Sequence, residues 1–126
     1  MKLEVGMYVR GKYYAYRGKI GKIIKNYNND LEIAYANGVL KTTVGSFLDD
    51  NTDINGRQYV ASFDIIDLIE EGDYVNGSKV ISIKTDENNI KWIYTNNENA
   101  YGYKNDEIRN IVTREQFEQT AYKINK

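Results

Sequence analysis

The side chains best suited to chemistry or binding in this 126-residue chain lie in two segments of opposite charge. Residues 1–29 carry seven lysines and arginines and one glutamate, whereas residues 49–73 carry eight acidic residues and one arginine. The whole chain has a formal charge of only −1. Charge segregated in this way favours docking against charged partners, although two solvated surfaces that aid solubility would have the same composition.

The basic segment contains a run in which cations alternate with tyrosines, with Gly11 and Gly18 near its ends. Lysine and arginine neutralise phosphates and tyrosine rings stack on unpaired bases, so the run suits a nucleic-acid surface. It equally suits a protein interface, where Tyr and Arg supply much of the binding energy, and an ordinary surface loop would also accommodate it. Residues 10–22 are termed the basic aromatic loop, and its candidate partner-binding residues are Arg10, Lys12, Tyr13, Tyr14, Tyr16, Arg17, Lys19 and Lys22.

The acidic segment offers a second candidate surface. A pair of carboxylates can hold Mg²⁺ or act in hydrolysis, but adjacent residues of a strand point to opposite faces, and most acidic pairs here fall in predicted turns. The stretch from Asn51 to Gly56 has the first half of a Ca²⁺ loop without its closing glutamate. The segment therefore predicts an acidic partner-binding face and no metal site; its residues are Asp49, Asp50, Asp53, Glu70 and Glu71.

The absence of histidine and cysteine excludes most familiar catalytic centres. Without histidine there is no Ser–His–Asp triad and no imidazole ligand, and without cysteine there is no thiolate nucleophile, disulfide or zinc knuckle. We therefore expect no catalytic residues and no cofactor. An enzyme that uses carboxylates alone is the third and least favoured alternative.

Short β-branched runs separated by turn residues predict a mainly β protein. The Asn37-Gly38 pair predicts a type I′ hairpin turn, and a looser turn is expected at 26–30. In the second half, Ile90, Trp92 and Tyr94 are expected to share one face opposite Ile81 and Ile83, with Trp92 in the core. Two helical segments are predicted, one turn within 63–69 and a short C-terminal helix at about 114–122, the latter from a capping box of Thr113 and Gln116.

An internal repeat organises these elements. Residues 3–11 align with residues 69–77 at an offset of 66, and a β-branched run follows each copy. The repeat predicts two antiparallel β units in tandem, a basic unit at 1–63 and an acidic unit with the C-terminal helix at 64–126. It also predicts that Gly6 and Gly72 occupy equivalent turns and that Tyr8 and Tyr74 occupy equivalent sheet positions.

Two resemblances accompany the repeat. The run Gly6-x-Tyr8-Val9-Arg10, followed by residues 18–24, resembles the opening of SH3-like and KOW-type small barrels, which implies two SH3-like barrel units of a kind that binds proteins, RNA or DNA. Residues 65–77 and 111–117 resemble small uncharacterised phage and prophage proteins of AT-rich Gram-positive bacteria. The second resemblance implies a mobile-element setting and brings no catalytic residues.

Two functions of different classes are therefore predicted. The first is a non-catalytic, phage-encoded binding protein that docks on a host protein or complex, most concretely an inhibitor of host defence of the anti-CRISPR kind. Its acidic face would imitate phosphate in a cationic channel. The alternative is a KOW-like nucleic-acid-binding module that acts through the basic aromatic loop. No signal peptide or membrane-length apolar run is visible, so we expect a location in the host cytoplasm and no membrane partner. The oligomeric state stays open.

Overall fold

The protein is mainly β, as the sequence predicts. The computed structural model describes residues 3–11, 17–50, 60–98 and 101–120, which form two antiparallel sheets with two short α-helices. In chain order the first elements are β1 (Tyr8–Arg10), β2 (Ile20–Tyr27), β3 (Asp30–Tyr35), β4 (Gly38–Thr43), α1 (Val44–Asp50), β5 (Val60–Ser62) and a 3-10 helix (Ile65–Leu68). They are followed by β6 (Tyr74–Val75), β7 (Ser78–Thr85), β8 (Lys91–Thr95), a 3-10 helix (Asn105–Glu107), β9 (Ile111–Val112) and α2 (Arg114–Thr120).

The chain divides into two compact units, residues 1–68 and 69–126. The first sheet has the strand order β4-β3-β2-β1-β5 and the second has the order β8-β7-β6-β9. The repeat placed the division between 63 and 64. The structure places it after the 3-10 helix Ile65–Leu68, because that helix contacts β5 and β1 of the first unit. This helix is the single turn predicted within 63–69.

Alternation along the strands builds the core of the first unit. Leu31 and Ile33 of β3 are fully buried, whereas the alternate residues Glu32 and Ala34 are only half-buried, as a sheet with one covered face requires. The buried cluster of this unit comprises Leu3, Met7, Val9, Ile23, Leu31, Ile33, Phe47 and Ala61.

The two copies of the repeat begin with the same turn. Gly6 has φ +97° and Gly72 has φ +93°, in the left-handed region that glycine enters without steric cost. The N–H of Gly6 donates to the carbonyl of Ile23 at 2.9 Å, and the N–H of Gly72 donates to the carbonyl of Val80 at 3.0 Å. The predicted equivalence of these two turns is confirmed.

The strands that follow the turns are also equivalent. Tyr8 pairs with Lys22 across β1 and β2, and Tyr74 pairs with Lys79 across β6 and β7. Beyond these pairs, the register of β2 with β3 shifts after Ile23, and the register of β7 with β8 shifts after Val80. A bulge therefore recurs at the same place in both copies, and the predicted repeat holds at the level of single hydrogen bonds.

The predicted turn at Asn37-Gly38 is wrong in type and position. Tyr35 pairs with Gly38, so Ala36 and Asn37 are the central residues of the turn, and neither has a positive φ. This register sets the apolar Leu40 opposite Ile33, whereas the predicted register would have set Thr42 there. Gly38, with φ +141°, is the first residue of β4 instead of a central residue of the turn.

Type I′ geometry occurs instead in two other hairpins. Asn28 and Asn29 have φ of 49° and 70° between β2 and β3, where a looser turn was predicted. Asn76 and Gly77 have φ of 52° and 86° between β6 and β7. Asparagine tolerates the left-handed region better than other non-glycine residues, so two adjacent asparagines suffice for a tight turn.

Helix α1 was not predicted. Thr43 precedes it, and its hydroxyl accepts the backbone N–H of Ser46 at 3.1 Å, which is the bond an N-cap residue makes. Phe47 is 1% exposed, with Val44 and Leu48 beside it against the core. The spacing of these three side chains is that of one helical face.

Helix α2 begins with the predicted capping box. Gln116 N–H donates to the Thr113 hydroxyl at 3.2 Å, and the Gln116 side chain accepts the Thr113 N–H at 3.1 Å. The buried carboxylate of Asp73 accepts two further backbone N–H groups, from Arg114 at 2.9 Å and from Glu70 at 2.8 Å. Asp73 therefore ties the glycine turn of the second copy to the start of α2.

The predicted face of β8 is also wrong. Ile93, not Trp92, is fully buried, and it pairs with Ile83. Trp92 is half-buried and pairs with Lys84. The bulge after Val80 shifts the alternation of β7, so the aromatic residues of β8 lie on its outer face.

Two glycines of the first unit give a matched test of this packing. A Cβ on Gly21 would lie 2.5 Å from Cγ2 of Ile33 and 2.8 Å from Cε1 of Tyr35, whereas a Cβ on Gly45 of α1 meets nothing within 4 Å. Overpacking a core costs about 1–3 kcal/mol, and alanine is favoured over glycine in helices by up to about 1 kcal/mol. We expect Gly21→Ala to lower, and Gly45→Ala to keep or raise, the free energy of unfolding measured in urea. Equal effects would contradict the packing described here.

Candidate functional site

The two copies differ in the length of the connection between their first two strands. Tyr8 and Tyr74 are offset by 66 residues, but Lys22 and Lys79, their strand partners, are offset by 57. The first copy thus carries nine residues more than the second in this connection. The second copy uses the two-residue turn described above, so the scaffold does not need the longer loop. These extra residues are the centre of the basic aromatic loop.

The base of the basic aromatic loop is closed by backbone hydrogen bonds. Gly11 N–H donates to the carbonyl of Lys19 at 3.1 Å, and Gly18 N–H donates to the carbonyl of Gly11 at 2.9 Å. Arg17 forms an isolated bridge with Gly11. The chain therefore leaves and re-enters the sheet at one defined point. Four predicted site residues lie outside the described part of the chain, namely Lys12, Tyr13, Tyr14 and Tyr16.

Arg10 is not a surface cation, in contrast to the prediction. Its side chain is fully buried, and its Nη1 donates to the carbonyl of Leu68 at 2.9 Å. A buried guanidinium must be hydrogen-bonded to offset its loss of hydration, and the end of the 3-10 helix supplies an acceptor. Arg10 therefore joins β1 to the C-terminal end of its own unit and leaves the set of residues that could touch a partner.

The other three described cations of the loop remain accessible. Arg17 and Lys22 are exposed and Lys19 is half-buried. The Lys22 ammonium lies 5.4 Å from the ring centroid of Tyr8, which is a cation–π distance. The ring holds this ammonium near the sheet beside the loop base.

A groove opens beside the loop base. Its volume is about 260 Å³. The lining that the described residues supply is an aromatic ring, two apolar side chains, an amide and one cation, without a carboxylate. Tyr35 forms one wall because Gly21 has no side chain and lets the ring lie against β2. The lining residues are Lys19, Tyr35, Asn37, Gly38, Val39 and Leu40. Sequence reasoning missed this groove because the β3–β4 hairpin, distant from the loop in sequence, supplies most of it.

The residues of the predicted acidic face are divided between the two units. Asp49 and Asp50 end α1 of the first unit, with side chains outside the described part, and Asp53 lies outside it altogether. Glu70 and Glu71 belong to the second unit. Glu70 is half-buried and forms an ion pair of 2.8 Å with Arg114, while the exposed Glu71 accepts a hydrogen bond from Arg114 through its carbonyl.

The described residues also bear on metal binding and on membrane crossing. Within 3–11, 17–50, 60–98 and 101–120, no group of three or more acidic side chains is placed to hold a metal ion. In the same part of the chain, every helix is too short or too polar to cross a membrane.

Sequence reasoning also missed a cluster on the outer face of β7 and β8. Lys84, Trp92, Tyr94 and Lys104 meet there, and we term them the Trp92 face. The indole Nε1–H of Trp92 donates to Asp86 at 2.9 Å. This hydrogen bond, together with backbone N–H groups of Ile90 and Asn88, lowers the pKa of Asp86 below its usual value of 3.8.

The hydrogen bonds of Asp86 predict that the fluorescence of Trp92 changes in acid. Because the pKa of Asp86 is lower in the folded chain than in the unfolded chain, its contribution to stability is complete above about 3.8 and is lost as the pH falls through the folded value. Trp92 is the single tryptophan of the chain, so its emission reports this event. We expect a fluorescence transition below pH 3.8 in the native protein that Asp86→Asn abolishes. Glu87→Gln, in the same turn, should leave it unchanged; a transition shared by all three proteins would refute the assignment.

No protein-family model matches the chain, and neither a curated protein nor a solved structure matches it with significance. The basic aromatic loop, its closed base and the groove beside it therefore carry the functional proposal.

Proposed function

We propose that the chain is a non-catalytic binding protein that docks on a partner protein through the basic aromatic loop and the adjoining groove. The observation that carries this proposal is the extra length of one connection on a duplicated scaffold. The second copy forms the same strands with a two-residue turn, so the additional residues contribute nothing that the fold requires. Loops held by a rigid scaffold are the usual place for binding residues.

The composition of the described site favours a protein over a nucleic acid at this position. The burial of Arg10 removes one of the cations that the sequence assigned to the surface. Among the described residues, the groove presents Tyr35, Val39 and Leu40 with Lys19 as its single cation. A strip of this kind suits aromatic or aliphatic side chains of a partner with a nearby carboxylate or carbonyl, whereas non-specific nucleic-acid binding depends on many cations.

The wider proposal is that the partner is a host protein and that the chain comes from a mobile element, most concretely as an inhibitor of a host defence complex of the anti-CRISPR kind. The resemblance to phage and prophage proteins supports this setting. In each unit the last strand returns to pair with the first, which supports the proposal that the units are SH3-like. Glu70 is already paired with Arg114. We therefore assign the contact with the partner to the basic aromatic loop and not to acidic residues that imitate phosphate.

Replacing the loop side chains at constant length tests the proposal. In one variant, residues 12–17 become a Gly/Ser segment, which keeps Arg10, the glycine pair and the closed base. Because Tyr and Arg at an interface often contribute 2 kcal/mol or more each, we expect affinity for the partner to fall by roughly 30-fold or more. The partner is first captured from a nuclease-treated Gram-positive lysate, then purified, and its dissociation constant is measured by calorimetry.

A charge-matched control separates the loop from general electrostatics. Arg17→Glu with Lys19→Glu should weaken binding as the loop replacement does. Lys25→Glu with Lys41→Glu, which makes the same change of charge on exposed residues of β2 and β4, should not. If the control pair weakens binding equally, or if the bound species is nucleic acid whose binding the loop replacement abolishes, docking on a protein through this loop is wrong. In the second case the KOW-like alternative takes its place.

A further inference from the structure

The outer face of β7 and β8 carries two aromatic rings and two lysines in a regular array. Lys84 pairs with Trp92 across the two strands and Ser82 pairs with Tyr94, and paired residues of antiparallel strands project from the same face. On the other side of β8, Tyr103 forms an antiparallel bridge with Ile93. Its neighbours Gly102 and Lys104 therefore lie beside Tyr94 and Trp92.

Side-chain contacts confirm this placement. The ammonium of Lys84 lies 5.7 Å from the ring centroid of Tyr94, and the ammonium of Lys104 lies 5.5 Å from that of Trp92. Each ring of the Trp92 face thus has a cation at its surface. Trp92 is also fixed by its hydrogen bond to Asp86, so the indole is already oriented before any ligand arrives.

The described carboxylates beside this face are engaged in hydrogen bonds. Asp86 accepts the indole N–H of Trp92 through Oδ2 and the backbone N–H groups of Asn88 and Ile90 through Oδ1. The two lysine ammonium groups lie over the rings, and the Glu107 carboxylate accepts the backbone N–H of Lys104 at 2.9 Å.

Aromatic area is open at the edge of the same face. A Cβ on Gly102 would lie 3.1 Å from Cε1 of Tyr94, so the ring lies flat against the backbone there. Tyr101, next to this glycine, is 97% exposed. A fully exposed tyrosine adds a third ring beside the two that the sheet orients.

The first copy provides an internal comparison. When the copies are aligned through their bulges, Lys25 and Glu32 occupy the places of Ser82 and Tyr94, and Tyr27 and Asp30 occupy those of Lys84 and Trp92. Lys25 and Glu32 form an ion pair of 3.5 Å. The same scaffold is therefore built with an ordinary polar outer face, and the rings and lysines of the second copy are not a requirement of the fold.

We propose that the Trp92 face binds an unpaired nucleic-acid strand. Trp92 and Tyr94 are two residues apart on one strand, about 7 Å, and offer consecutive platforms on which bases stack. Lys84 and Lys104 swing from the rings to the phosphates on either side. Bases in a duplex are already stacked and paired, so the face selects single strands. This activity is independent of protein docking through the basic aromatic loop of the other unit.

Intrinsic fluorescence tests the proposal directly, because Trp92 is the only tryptophan and a stacked base quenches indole emission. The full chain is titrated at low salt with a dT oligonucleotide of about ten residues, with the matching dT·dA duplex, and with a poly-glutamate peptide of similar charge. We expect saturable quenching by the single strand alone. Quenching by the duplex or by the peptide to the same extent, or binding seen by anisotropy of a labelled strand without quenching, would overturn the proposal.

Variants locate the binding and guard against misfolding. Tyr94→Leu keeps an apolar side chain against Gly102 and should weaken single-strand binding roughly 5- to 150-fold. Lys84→Gln with Lys104→Gln leaves both rings in place and should lower the slope of log affinity against log salt by about 0.7 per lysine. Lys25→Gln with Lys41→Gln removes the same charge from the first unit and should leave affinity and slope unchanged. With unfolding temperatures equal to that of the native protein, an unaltered affinity in both Trp92-face variants refutes the assignment.

Discussion

Each copy of the repeat depends on one backbone constraint, a glycine with positive φ whose N–H reaches across to the next strand. Gly6 and Gly72 bond in this way to the residues at which β2 and β7 bulge. The carbonyls of Met7 and Asp73 accept from the same two residues, at 2.8 and 2.7 Å. An L-residue at either glycine would be strained in this conformation. The bend therefore fixes where the first strand of each copy starts and which residue of the second strand it faces.

The two copies share this bend but differ in the loops and outer-face side chains that follow it. The first copy extends the connection after β1 into the basic aromatic loop and secures it with the buried Arg10. The second keeps a tight turn and places aromatic rings and lysines on the outside of β7 and β8. The second copy has Asp73 at the position of Met7, and the Asp73 carboxylate accepts the backbone N–H of Arg114 at the start of α2. The repeat supplies two similar supports, and the copies differ at positions that the bend does not constrain.

The formal charges along the chain predicted more exposed charged residues at the candidate site than the structure presents. Arg10 and Glu70 were both assigned to charged surfaces, yet one is buried against a backbone carbonyl and the other is paired with Arg114. A charged residue beside a glycine turn or at a strand end is close to many unsatisfied backbone groups, and these compete with outside partners for it. What remains exposed at the loop base is a smaller cationic surface next to an apolar groove.

The sequence by itself determined the features that local chemistry controls: the β-rich class, the repeat with its paired glycines, the single turn before residue 69 and the capping box of α2. Only the tertiary structure decided the register after Tyr35, the bulges that turn Trp92 outward, the helix α1 and the burial of Arg10. In the β3–β4 hairpin, the Asn-Gly pair predicts one turn, whereas the paired strands place the turn one residue earlier, with Leu40 opposite Ile33. The cause is general: capping and φ preferences involve neighbours in the chain, whereas register and burial involve side chains that meet only when distant strands are paired.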